Sequence, residues 1–144
     1  MSQTVLILED SRTQAAIISK MFQKAGFTPV CVSEEQAAKT RLKEEAFDLL
    51  LLDVFIEGTN TLDALDEYRQ LAPRVPIAIM TAGHNGDAEA GADALNKARR
   101  HRVNFLLPKP FYYVDVVQVC ADVDAYWTSL KVEALAENPQ RLTG

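Results

Sequence analysis

Long hydrophobic runs, cysteines and an excess of positive charge are all scarce in this sequence. No apolar run approaches the roughly 20 residues of a membrane-spanning helix, and the first residues show no basic stretch followed by a long apolar one, as a secretory signal would. Acidic residues outnumber basic ones by 20 to 15, which gives a net charge of -5. A mildly acidic protein is not attracted electrostatically to nucleic acid or to an anionic membrane. We therefore expect a cytoplasmic protein that binds neither nucleic acid nor membrane directly.

The cysteine content excludes a disulfide framework. The two cysteines, Cys31 and Cys120, stand in apolar stretches without the spacing of a metal site. We expect both to be buried free thiols in a reducing compartment. With 144 residues, 48% of them hydrophobic and 24% charged, the chain has the size and composition of one globular domain. We place that domain at residues 1–131, followed by a helix end and polar tail at 132–144.

Apolar strand-like segments alternate with amphipathic helical segments along the chain. Strands are predicted at residues 4–8, 28–32, 48–52, 77–80 and 103–107. Helices are predicted at residues 12–24, about 34–45, 61–71, a segment ending in the basic run 99–102, and about 113 to beyond 130. This alternation predicts a doubly wound α/β fold, with a five-stranded parallel sheet and helices on both faces. The third strand, rich in leucine, is expected to be buried on both faces.

Local signals predict where the helices begin and which side chains they bury. Ser33 begins a capping-box sequence and should be the N-cap of the second helix. Thr61 should be the N-cap of the third helix. In the first helix, the apolar spacing runs through Ala16, Ile17, Met21 and Phe22.

Polar residues suited to chemistry follow four of the five predicted strands. In open α/β sheets, sites lie beyond the carboxyl ends of the strands. Taken alone, each such residue is usually a helix cap or a solvated turn residue. A functional site is favoured because these residues converge on one edge of the sheet. They are Glu9, Asp10, Asp53, Thr81 and Lys109.

These residue types fit phosphoryl chemistry. Three carboxylates held together raise each other's pKa values, and the usual compensation is a hard divalent cation such as Mg²⁺. Lys109 and Thr81 supply an ammonium and a hydroxyl suited to the equatorial oxygens of a phosphoryl group. Asp53, at the end of the most apolar strand, is the candidate nucleophile, because carboxylates form aspartyl-phosphates.

The order and spacing of these residues closely resemble those of response-regulator receiver domains of two-component systems. The resemblance covers about residues 4–130 and is carried by Glu9-Asp10, LLLLDVF around Asp53, MTA at 80–82 and Lys109-Pro110-Phe111. It implies a flavodoxin-like (βα)5 fold and a phosphoacceptor signalling domain that catalyses only its own phosphorylation and dephosphorylation. Its partners would be a sensor histidine kinase or phosphotransfer protein, and an output domain or downstream protein.

The resemblance also implies a role for each site residue. Asp53 would accept the phosphoryl group from a phosphohistidine, and Thr81 and Lys109 would contact that group. The Mg²⁺ ligands would be Asp10, Asp53 and the backbone carbonyl of Phe55, with Glu9 acting through water. The Lys109–Pro110 bond would be cis.

The sequence departs from the family pattern at several positions. Glu57 stands where a proline is frequent, and Thr61 where a glycine is usual. The position of the switch aromatic, three residues before Lys109, holds Leu106, with Phe105 beside it. We therefore expect intact phosphorylation chemistry but an altered relay from the site to the output surface.

Three alternative functions place different requirements on these positions. An aspartyl-phosphate phosphatase needs a second acid two residues after the nucleophile, where this chain has Phe55. A flavodoxin-like cofactor binder needs a phosphate loop after the first strand, where Glu9 and Asp10 would repel the phosphate. A pseudo-receiver, acting as a phosphorylation-independent interaction module, stays the open alternative because of the altered relay.

The output surface of receivers is formed by the fourth helix, fifth strand and fifth helix. On the predicted fifth helix, one apolar stripe is assigned to the core and its edge. It consists of Val116, Cys120, Val123, Trp127 and Leu130. A second stripe mixes acids and aromatics, in Tyr112, Asp115, Val119, Asp122 and Tyr126, with Arg99, Arg100 and Arg102 nearby in sequence. This second stripe is either a solvated face or the interface of a homodimer or partner, with Tyr126 as its anchor.

Overall fold

A five-stranded parallel sheet forms the centre of the molecule. The computed structural model describes residues 3–56, 58–81 and 103–137. Its strands, in chain order β1 to β5, are Gln3–Leu8, Phe27–Val32, Leu49–Asp53, Ile77–Thr81 and Phe105–Pro108. All neighbouring pairs are parallel, and the spatial order is β2-β1-β3-β4-β5. The strand order reverses beside β1, so a crevice opens at the carboxyl ends of β1 and β3, where ligands bind in such folds. The predicted fold class is confirmed.

The helices lie where the apolar periodicity predicts them. They are α1 (Arg12–Lys24), α2 (Glu35–Glu44), α3 (Leu65–Leu71) and a C-terminal helix (Tyr113–Glu137). A 3-10 turn, Thr61–Ala64, leads into α3. The predicted fourth helix lies outside the described residues. No helix among residues 3–56, 58–81 and 103–137 is long and apolar enough to cross a membrane.

Two hydrophobic cores cover the two faces of the sheet, because successive strand residues point to opposite sides. In β3, Leu50 and Leu52 join the core under α2 and α3, whereas Leu49 and Leu51 join the core under α1 and the C-terminal helix. Every residue of β3 is buried. The predicted burial of this strand on both faces is therefore confirmed.

Two predicted helix caps are wrong. The N-cap of α2 is Glu34 rather than Ser33, and its side chain makes no capping hydrogen bond. Asn60 caps the 3-10 turn through a bond from the Leu62 amide, while Thr61 lies inside the turn and is fully buried. Thr61 is oriented by a tertiary contact, described below, that outweighs its local capping preference.

The buried face of α1 differs from the predicted one. Ile18 and Phe22 are buried, whereas Ile17 is 51% exposed. Ile18 and Phe22 are four residues apart and so share one face of the helix. That face points to the sheet, and Ile17 is turned away from it.

The two cysteines differ in burial. Cys120 is buried as expected, but Cys31 is exposed, which corrects the prediction. Cys31 lies on β2, an edge strand that is only partly covered. Its sulfur lies 2.8 Å from the Ser19 hydroxyl oxygen of α1.

The C-terminal helix buries one residue beyond the predicted stripe, whose last two members, Trp127 and Leu130, are only partly buried. Val116, Cys120 and Val123 are in the core as expected, but Val119, predicted on the second stripe, is buried as well. The Tyr126 hydroxyl donates to the Arg74 carbonyl at 2.8 Å, so its polar group has a partner within the chain. Arg99, Arg100 and Arg102 lie outside the described residues. The predicted boundary at residue 131 falls within this helix and stays a prediction.

Candidate functional site

Three carboxylates meet at the carboxyl ends of β1 and β3. Glu9 and Asp10 directly follow β1, and Asp53 is the last residue of β3. One carboxylate oxygen from each of the three lies within 4.8 Å of the others. Glu9 and Asp53 are 3% and 7% exposed, respectively, whereas Asp10 is open to solvent. The arrangement is an acidic pocket whose floor is buried and whose rim is accessible.

Lys109 crosses the pocket from the end of β5. Its Nζ lies 3.0 Å from Glu9 Oε2 and 3.1 Å from Asp53 Oδ2. The Lys109 amide donates to the Thr81 carbonyl at 2.7 Å, which continues the β4–β5 pairing past Pro108. The Lys109–Pro110 bond is cis, as expected.

Burial and charge perturb the ionisable groups of the pocket. Burial, followed by the hydrogen bond with Asp53, raises the pKa of Glu9. Burial alone would lower the pKa of Lys109, but the Asp53 and Glu9 carboxylates raise it. The ammonium is thus held in its charged form, and the pocket favours further positive charge.

The loop after β3 is held by hydrogen bonds to the end of that strand, beside Asp53. Phe55–Ile56 and Thr59–Asn60 form a short antiparallel hairpin, and Gly58 supplies the positive φ of 78° in its turn. The Thr61 hydroxyl donates to the Asp53 carbonyl at 2.6 Å and lies 3.2 Å from the Val54 carbonyl. The Phe55 amide donates to Asp53 Oδ1 at 3.4 Å.

The structure brings four of the predicted site residues into one cluster: Glu9, Asp10, Asp53 and Lys109. Thr81 is buried at the end of the adjacent strand β4, on the same edge of the sheet. Phe55 is 37% exposed and lies two residues after Asp53. The geometry is compatible with the predicted roles, which stay predictions.

Sequence reasoning missed two contributors to the pocket. Gln14 accepts a hydrogen bond from Lys109 Nζ at 2.8 Å, and Thr61 fixes the loop after Asp53. For Gln14, the available signal was its position three residues after Ser11, which matches a capping box. That signal places Gln14 in the first turn of α1 but says nothing of Lys109.

The arrangement at the strand ends agrees with comparisons to known proteins. A family model described as the response regulator receiver domain matches residues 5–121. The chain belongs to this family. The autoinducer 1 sensor kinase/phosphatase LuxN of Vibrio campbellii is 30% identical over 67% of this chain and 11% of its own length. The transcriptional regulatory protein TctD of Salmonella typhimurium is 30% identical over 74% of this chain and 45% of its own length.

The chain therefore spans less than half of the length of each of these two curated relatives. A solved response regulator receiver domain protein (CheY-like) from Methanospirillum hungatei shares the fold. Its TM-score is 0.76 at 14% identity, and the match covers 90% of this chain and 99% of that one.

The position of the receiver switch aromatic is filled by an aliphatic residue. Leu106 packs against the core under α2 and α3, whereas Phe105 packs against the core on the opposite face of the sheet. Because neighbouring strand residues point to opposite faces, Phe105 does not take the place of the missing aromatic. A relay through this position would have to use an aliphatic side chain.

Proposed function

We propose that this receiver domain accepts a phosphoryl group on Asp53 from the phosphohistidine of a sensor histidine kinase or phosphotransfer protein, in a Mg²⁺-dependent reaction in the cytoplasm. The observation that carries the proposal is the contact of Lys109 Nζ with both Asp53 and Glu9, inside a pocket that contains three carboxylates. This combination supplies a nucleophile, a fixed cation and a set of oxygen ligands at one point.

The donor set of the pocket fits Mg²⁺. Oxygen ligands are the ones that Mg²⁺ prefers, and it is usually held by one or two carboxylates with several waters. Asp10 and Asp53 would hold the ion, with the Phe55 carbonyl, and Glu9 would act through water. Three carboxylates share the pocket with one ammonium, so it holds more negative charge than Lys109 alone offsets. When bound, the cation neutralises this charge and the charge on the phosphoryl oxygens.

Phosphoryl transfer would begin with the Asp53 carboxylate. One of its oxygens attacks phosphorus, so that a P–O bond forms while the P–N bond of the phosphohistidine breaks. The leaving imidazole takes up a proton from solvent. Lys109 and Thr81 would contact the phosphoryl oxygens from two neighbouring strand ends, where fixed donors stabilise developing charge without reorganising.

The domain would act as a switch rather than as an enzyme on a separate substrate, catalysing only its own phosphorylation and dephosphorylation. The names of the relatives, a sensor kinase/phosphatase and a transcriptional regulatory protein, support a kinase or phosphotransfer partner on one side. They also support an output domain or downstream protein on the other.

Mass spectrometry of the intact protein tests the proposal. After incubation with Mg²⁺ and acetyl phosphate, the wild-type protein should gain the mass of one phosphoryl group, and Asp53→Asn should gain none. Asp63→Asn, at an exposed aspartate of the 3-10 turn, is the matched control and should be labelled like wild type. Labelling retained in Asp53→Asn would refute the assignment of the nucleophile. A wild-type protein that takes up neither phosphate nor beryllofluoride would instead be a phosphorylation-independent interaction module.

Phosphorylation is further proposed to change self-association or partner binding through the face of the fourth predicted helix, β5 and the C-terminal helix. Support comes from Asp115 and Asp122, which lie with the edge strand β5 along a shared open groove. Sedimentation with and without beryllofluoride should show a monomer–dimer shift. A monomer in both states, with partner binding unaffected by Tyr126→Ala, would leave this face as solvated surface.

A further inference from the structure

The ammonium of Lys109 has a third partner besides the two carboxylates. Its Nζ lies 3.0 Å from Glu9 Oε2, 3.1 Å from Asp53 Oδ2 and 2.8 Å from Gln14 Oε1. An ammonium has three hydrogens to donate, so these three acceptors account for all of them. The contact with Gln14 is the shortest of the three.

Gln14 is available to Lys109 because its usual partner is taken by another residue. Ser11 is the N-cap of α1, and its side chain accepts a bond from the Gln14 amide. In a capping box, the glutamine at this position would in return accept a bond from the N-cap amide. Here the Ser11 amide donates instead to Glu9 Oε1 at 3.1 Å, which leaves Gln14 Oε1 to the lysine.

The three acceptors of Lys109 would not behave alike during phosphoryl transfer. Asp53 loses its negative charge when it becomes an acyl phosphate, and Glu9 belongs to the carboxylates around the cation site. Gln14 is neutral, lies on a different element and takes no part in either change. It is therefore the acceptor that can hold the ammonium in place in both states of the site.

We propose that Gln14 is a positioning residue that keeps the Lys109 ammonium directed at the phosphoryl group. This inference rests on the proposed function, since it deepens the role of Lys109 at the same site. A fixed donor contributes more than a mobile one, because its orientation is set before charge develops. The competing explanation is that Gln14 is only a surface residue of the first turn, with no effect on the site.

Gln14→Met tests the inference, because it keeps the length of the side chain and removes the acceptor. Gln36→Met is the matched control, since Gln36 is also an exposed glutamine in the first turn of a helix, α2. In the protein without phosphodonor, acetylation of Lys109 by acetic anhydride should be faster in Gln14→Met and unchanged in Gln36→Met. Gln14→Glu, which restores an acceptor, should restore the protection of Lys109.

The second measurement compares binding of Mg²⁺ alone with binding of beryllofluoride in the presence of Mg²⁺. Gln14→Met should leave Mg²⁺ affinity unchanged and weaken beryllofluoride binding by roughly two- to tenfold, as expected for one hydrogen bond. In a Lys109→Met background, the same substitution should have no further effect, because the double-mutant cycle isolates the pair.

Each outcome decides the question. Weaker beryllofluoride binding that disappears in the Lys109→Met background supports the inference. Unchanged or tighter binding overturns it, and so does a loss that persists without the lysine, which would indicate a helix-cap effect. Absence of beryllofluoride binding in the wild-type protein would defeat the proposed function itself, and the role of Gln14 with it.

Discussion

At the scale of single residues, the pocket depends on polar groups that are buried only because each has a partner. Glu9 and Asp53 are almost completely buried, and an unpaired buried carboxylate is strongly unfavourable. Lys109 offsets part of this cost for both at once. Thr61 does the same for the backbone, since its hydroxyl satisfies a carbonyl of the strand that carries Asp53.

Thr61→Val should lower the free energy of unfolding by about 1–3 kcal/mol, because the isosteric change leaves a buried carbonyl without its donor. Thr40→Val is the matched control. The Thr40 hydroxyl bonds to the Gln36 carbonyl at an exposed position of α2, and its loss should cost under about 0.5 kcal/mol. Urea unfolding measures both variants. Equal effects would mean that the Thr61 hydroxyl does not secure the loop after Asp53.

The two cysteines should differ in reactivity. Burial, followed by the charge of Asp124, raises the pKa of Cys120 to about 11, whereas Cys31 is exposed. The thiolate is the reactive form, so in the native protein at pH 8 iodoacetamide should modify Cys31 first. Alkylation of Cys120 should speed up as the pH rises towards its pKa, or when the protein unfolds.

Peptide mass spectrometry measures both alkylation rates. Cys31→Ser should leave a single thiol that reacts slowly in the native protein. Comparable rates at pH 8 for the two native cysteines would contradict the assignment of Cys120 to the core.

At the scale of elements, the C-terminal helix packs beside α1 and also makes contacts beyond the part of the chain that the family model matches. The family match ends at residue 121, but the helix continues to Glu137. Beyond the matched region, the Trp127 indole donates to the Asp48 carbonyl just before β3, at 2.9 Å.

The edge strand β5 contains a proline. Pro108 lies at its end, where the missing amide is tolerated because an edge strand has a neighbour on only one side.

Trp127→Phe should destabilise the protein by about 1–2 kcal/mol, because it removes the indole donor and part of a ring that packs, partly buried, against the core. Tyr126→Phe removes a more exposed hydrogen bond, from the Tyr126 hydroxyl to the Arg74 carbonyl. It should lower the free energy of unfolding by less than about 1 kcal/mol. Circular dichroism is the appropriate probe, since the chain has 1 tryptophan and its removal deletes the fluorescence signal. If Tyr126→Phe proved the more costly change, Trp127 would not be the main attachment of the helix extension.

At the scale of the whole molecule, the net charge of -5 and the acidic pocket act in the same direction. Both favour association with small cations and disfavour contact with polyanions. The sheet order places the pocket at the point where the chain reverses its winding. The binding of a cation there would stabilise the folded state as a whole, because the unfolded chain has no such cluster.

Mg²⁺ should therefore raise the stability of the protein by about 2.7 kcal/mol at a hundred times its Kd. Asp10→Asn should lose most of this gain, and Asp63→Asn should retain it, because Asp63 lies in the 3-10 turn outside the acidic cluster. Thermal unfolding at several Mg²⁺ concentrations measures the gain. A gain of equal size in Asp10→Asn and wild type would exclude Asp10 as a ligand.

The sequence by itself determined the order of the elements and the edge of the sheet where the pocket lies. Those properties follow from local patterns: the run of leucines before Asp53, the periodicity of the helices, and the polar residues after four of the five strands. Parallel strands then bring their carboxyl ends together without further information. The positions of Glu9, Asp10, Asp53 and Lys109 could be predicted for this reason.

Only the tertiary structure decided the contacts between residues that are far apart in the chain. Gln14 and Lys109 are 95 positions apart, and nothing in either neighbourhood indicates that they meet. Thr61 has the local preference of a cap, yet a buried carbonyl binds its hydroxyl instead. Likewise, the exposure of Ile17 depended on which face of α1 packs against the sheet, and the exposure of Cys31 depended on its place in the partly covered edge strand β2. Such outcomes are set by packing, which balances the burial of distant groups and overrides weak local preferences.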